Sequence, residues 1–145
     1  MEINTILPII ISIILVYVAI QQMVTNRNKL KLELFNKRFE VYSSALTFGQ
    51  EVTSNVYSTE THRDFICKKE SAYFLFSDNQ NIYKLLDEMH TKSFIIKGFR
   101  ESADELRNSP ESFMRYQKDN EAALNFFSNV MTDLRLEMKN YLEFK

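Results

Sequence analysis

The chain has 145 residues and a net charge of −1, enough for one domain with an anchor and too close to neutrality to draw nucleic acid by a global basic field. Two glycines and two prolines are too few turn-formers for a sheet protein of this size, so long helices are expected. The single cysteine, Cys67, excludes an intramolecular disulfide and a cysteine-rich metal centre.

Residues 6–24, ILPIIISIILVYVAIQQMV, carry no charge. As a helix they would extend roughly 28 Å, close to the ~30 Å hydrocarbon core of a bilayer. Pro8 is expected in the first turn, where its missing N–H costs little. A signal peptide would want a basic start and small residues before a cleavage point; the start here is acidic MEINT, and Tyr17 stands two residues before Ala19. A membrane anchor over residues 1–25 is the reading. No Lys or Arg precedes the span, whereas Arg27, Lys29, Lys31, Lys37 and Arg38 follow it. The positive-inside rule then puts the N-terminus outside and residues 26–145 in the cytoplasm.

KLKLELFNKRFEVY, residues 29–42, continues at helical spacing. Leu30, Leu34, Phe35, Phe39, Val41, Tyr42, Ala45, Leu46, Phe48 and Val52 fill one arc, and polar residues fill the other. With no proline in between, one helix is expected to leave the bilayer and become the first helix of a bundle. Arg27, Lys29 and Lys31 are expected to meet lipid headgroups, each contributing about 1 kcal/mol near an anionic surface. Arg38 also lies in the apolar arc but is about 20 Å beyond Val24, too far to reach headgroups easily. It is expected to form a buried ion pair with a carboxylate from another helix, with an anion or ligand contact as the sharper alternative.

Farther along, SNVYSTETH predicts a turn, followed by a helix over about 61–76 with Phe65, Ile66, Ala72, Tyr73 and Phe76 inward. SDNQ resembles a capping box, Ser77 to Gln80, opening a helix over about 78–107. Its inward residues include Ile82, Leu85, Leu86, Met89, Ile96, Phe99, Ala103 and Leu106, and Gly98 marks a kink or a close helix contact. NSPES starts the last helix, with Ser109 as N-cap and Pro110 in the first position. It is expected to run to the C-terminus with Phe113, Tyr116, Ala123, Phe127, Val130, Leu134, Met138 and Tyr141 inward. Short connections imply antiparallel neighbours. The expected fold is all-α: an N-terminal transmembrane helix continuing into a cytoplasmic antiparallel bundle of about four helices.

Little in the chain points to chemistry. Asp87-x-x-His90 puts an acid and a histidine on one helical face, but His62 has Thr59 and Ser58 where a matching half-site would need an acid. Both histidines read as isolated, and no metal or cofactor is expected. Cys67 has no histidine at a useful spacing, and there is no glycine-rich phosphate loop. No small-molecule substrate or catalytic residue is evident.

The segments KLKLELFNKRFEVYSSALTF, AYFLFSDNQNIYKLLDEM and MTDLRLEMKNYLEFK, above all Lys37-Arg38-Phe39-Glu40-Val41-Tyr42, resemble those of uncharacterised small single-pass bacterial membrane proteins. The resemblance implies an inner-membrane location and a helical cytoplasmic domain, and supplies no activity. Together these readings predict a non-enzymatic anchored module that binds membrane lipid and a protein partner or a second copy, as scaffold or sensor. The alternative is an oligomerising membrane-active effector that permeabilises the membrane.

Overall fold

The computed structural model describes residues 3–143, without the side chains of residues 3–6 and of Leu106, whose expected inward placement lies outside the described residues. The described residues form four helices, α1 (Ile3–Ser54), α2 (Thr59–Leu75), α3 (Gln80–Leu106) and α4 (Pro110–Met138), followed by a 3-10 turn, Lys139–Tyr141. Two compact units are distinguished, Met1–Asn36 and Lys37–Lys145, each with its own character.

In the first unit, α1 is helical through Asn26–Asn28. It begins by Ile3, so Pro8 falls in the second turn rather than the first, and the bond its N–H would have made to the carbonyl of residue 4 is missing. Ser12 donates its hydroxyl to the Pro8 carbonyl at 2.8 Å. This keeps the hydroxyl satisfied within its own helix. The large apolar side chains from Leu7 to Val24 are each 41–64% exposed. The stretch near the N-terminus of α1 is long and apolar enough to cross a membrane.

The second unit has one core, drawn from all four helices. Its stripes are all built from spacings of four and three. α1 buries Val41, Ala45, Phe48 and Val52, and α4 buries Ala123, Phe127, Val130, Leu134 and Met138. α3 buries Ile82, Leu86, Met89, Ser93 and Ile96, and α2 buries Phe65, Lys69 and Ala72, with Phe76 buried at its C-cap. That spacing keeps one seam of each helix turned to its neighbours. Six expected members are exposed instead: Leu30 and Leu34 in the first unit, and Phe39, Leu46, Tyr73 and Tyr116 in the second. Tyr73 is one residue off its stripe and packs its ring edge-on against Tyr83 and Phe74.

The helix ends explain the connections. Asn55 has φ of 61°, the left-handed conformation that asparagine tolerates, and Val56 N–H reaches back to the Glu51 carbonyl at 3.0 Å. This is a Schellman-type stop. Ser58 caps α2, its hydroxyl accepting from the Thr61 amide. The expected Ser77 cap of α3 is corrected: residues 76–78 form a turn, closed by Asn79 N–H on the Phe76 carbonyl, because Phe76 is buried against Tyr141. Asn79 is the cap, accepting from the Asn81 amide at 3.1 Å while its own amide donates to Glu137 of α4. Ser109 holds the N-cap position of α4 with Pro110 behind it, but its hydroxyl bonds the Ser112 hydroxyl and no backbone amide. Gly98 makes no close helix contact: a Cβ there would meet nothing within 4 Å. It floors an open groove of about 480 Å³ between α3 and α4, lined also by Phe94, Ile95, Phe99, Ser102 and Tyr116.

Candidate functional site

The reading of two isolated histidines is overturned. His62 lies three residues before Phe65 on the inward stripe of α2, and His90 follows Met89 on α3. Packing of α2 on α3 brings their Nε2 atoms to 3.1 Å, hydrogen-bond distance. The rings are half-buried in an aromatic nest. Phe48 of α1 stacks on His62 at 5.6 Å and on Phe65 at 4.0 Å. Phe94 meets both imidazoles edge-on, at 5.8 and 5.0 Å. A single N–H between two imidazoles requires one ring to donate and the other to accept, so at least one must be neutral.

Two turns beyond His62 along α2, Lys69 sits in the core stripe with its side chain only 8% exposed. Its ammonium bonds Asp87 at 2.7 Å and Glu70 at 3.1 Å, and lies 5.5 Å from the Tyr83 ring centre. Burial opposes the Lys69 charge, but the bonds to Asp87 and Glu70 outweigh it and hold its pKa above the ordinary lysine value. Asp87, three residues before His90 on the same helix, is engaged by this lysine. Burial, helped by the Lys69 charge and by His62, pushes the pKa of His90 down. Among the described residues no third His, Cys, Asp or Glu joins the pair to complete a metal-ligand set.

Arg38 is half-buried on α1. Its described partners are not a carboxylate. Nε and Nη2 both donate to the Leu75 carbonyl at 3.2 Å, and the guanidinium lies 4.8 Å from the Tyr141 ring centre and 5.6 Å from that of Phe76. A cation on the last carbonyls of α2 complements the negative end of that helix, and the planar fork suits two aromatic neighbours. Arg100 does the same for α1, donating to the carbonyls of Val52 and Thr53. Arg38→Leu is expected to cost about 2 kcal/mol and Arg38→Lys about half of that, since lysine keeps the charge and loses the fork. Urea unfolding of the full chain checks this; equal costs would mean that charge alone acts.

Arg27, Lys29 and Lys31 are exposed on α1 and make no ion pair among the described residues. Cys67 is exposed. The histidine pair was legible only in part: His62 is in step with Phe65, Lys69, Ala72 and Phe76, a signal that marks an inward residue but not its partner.

The chain matches no family model, no curated protein and no solved structure.

Proposed function

We propose that the chain is a non-enzymatic, single-pass bacterial inner-membrane protein whose cytoplasmic bundle of antiparallel helices is an interaction, scaffold or sensor module for a protein partner or a second copy. The observation that carries the reading is the uncharged apolar run of α1, with side chains 41–64% exposed from Leu7 to Val24. In water such a surface is costly, and lipid is the solvent that suits it. The orientation rests on Arg27, Lys29, Lys31, Lys37 and Arg38 following the run with no Lys or Arg before it. Bacterial placement rests on the resemblance around Lys37–Tyr42. An interaction role is supported by the groove floored by Gly98 and by exposed Phe74 and Met114, apolar surface left over after the core is complete.

The permeabilising alternative needs polar groups facing a lumen. Ser12 is a poor candidate because its hydroxyl is engaged by the Pro8 carbonyl.

Two fusions and one recording test the proposal. Green fluorescent protein at the C-terminus should fluoresce and alkaline phosphatase there should stay inactive; active phosphatase would reverse the orientation. Induction of the full chain should leave the membrane potential of the cells unchanged. A collapse would favour the effector.

A further inference from the structure

We propose that the His62–His90 pair is a proton-operated latch between α2 and α3, closed while one imidazole is neutral and opened when both are protonated. The proposal concerns the bundle alone and does not rest on the membrane reading.

The geometry sets the behaviour. At 3.1 Å the two Nε2 atoms share one hydrogen. A second proton removes the acceptor lone pair and leaves two N–H groups facing one another, each on a cation, so the rings must part. The charged groups around the pair relieve this only in part: burial, Lys69 and His62 outweigh Asp87 and Glu70, which favour a charged His90. On α2, Lys69 adds a third positive charge, and Glu70 and the α3 carboxylate Asp87 are both bonded to its ammonium. From α1 the pair receives the uncharged ring of Phe48, while Glu51 is engaged by the Ser58 amide and the Thr61 hydroxyl.

The same contacts decide what opens. Glu51 and the Ser44–Asp64 bond hold the first turns of α2 to α1. Lys69–Asp87 is an independent link from α2 to α3 and acts as the pivot. Acid therefore parts α2 from α3 at the histidine end alone, uncovering the buried rings of Phe48 and Phe65. An aromatic surface closed at neutral pH and open in acid is a means for a sensor to report protons.

The sign follows from the lowered pKa of His90. The unfolded chain takes up this proton more readily than the folded one, so the stability contribution is full above about pH 6.5, the ordinary histidine value, and is lost as pH falls from there through the folded pKa of His90.

The experiment uses the full chain in mild detergent. Between pH 7.5 and 5.5 the melting midpoint should fall by roughly 3–6 °C more in the native chain than in the His62→Gln/His90→Gln variant, whose amides keep a neutral hydrogen bond. Amide exchange, corrected for its intrinsic pH dependence, should rise over residues 59–66 and 88–95 and stay unchanged over 69–76. Identical pH profiles for the native chain and the variant would overturn the latch. If the variant does not fold, imidazole nitrogen shifts of the native chain decide alone. His90 staying neutral below the ordinary histidine range, with residues 59–66 shifting as it titrates, supports the latch; titration at the ordinary value with those residues unmoved refutes it.

Discussion

Phe65→Ala should destabilise the bundle by about 3–5 kcal/mol, the usual cost of emptying a buried aromatic site. Phe65 is 1% exposed and stacks almost parallel on Phe48, ring centres 4.0 Å apart. Alanine removes that stack and leaves a void at the meeting point of α1, α2 and α3. It also strips packing from beside His90, whose ring centre is 6.4 Å from that of Phe65. Against a total stability of about 5–15 kcal/mol for a domain, such a loss leaves little reserve. The comparison is Phe74→Ala, one helix position from Tyr73 and 77% exposed. It should change stability by no more than about 0.5 kcal/mol. Urea unfolding followed by far-ultraviolet dichroism measures both. A cost below about 1 kcal/mol for Phe65→Ala would mean that α2 does not pack as described.

The second large effect concerns the apolar run of α1. On an insertion scale its Ile, Leu and Val residues supply roughly −4 to −7 kcal/mol at about −0.3 to −0.6 each. One aspartate near the centre costs about 3 kcal/mol, so Ile14→Asp alone should leave the chain in the membrane. Ile14→Asp with Val16→Asp costs about twice that and also loses two favourable side chains, which carries the balance past zero. Aspartate is too short to reach the headgroups from that depth. Alkaline carbonate extraction should therefore leave the native chain and the single variant in the pellet and release the double variant. Release of the native chain would remove the anchor from the proposal, and retention of the double variant would point to attachment by another surface.

Within the bundle, the stripes of α1 and α4 were readable because each is a property of one helix. Val41, Ala45, Phe48 and Val52, or Phe127, Val130, Leu134 and Met138, face inward because their spacing puts them on one side of a cylinder whatever lies opposite. Stops written in local chemistry were equally legible, as at Pro110 and at the polar turn before α2. The uncharged run that begins the chain determined the apolar character of α1 by composition alone.

Pairings between helices were decided by tertiary structure. His62 and His90 are 28 residues apart, and the distance between them depends on how far α2 slides along α3, a quantity no single helix's periodicity contains. Lys69 shows the same limit from the other side. Its spacing from Phe65 and Ala72 puts it on the core stripe, yet a lysine reads as surface until Asp87 and Glu70 are seen to offset its desolvation. Arg38 was recognised as out of place in an apolar arc, and its partners were not foreseen because a helix-end carbonyl and two ring faces leave no charge signature in a sequence. Periodicity determined which faces turn inward; axial register between helices determined which polar groups meet there.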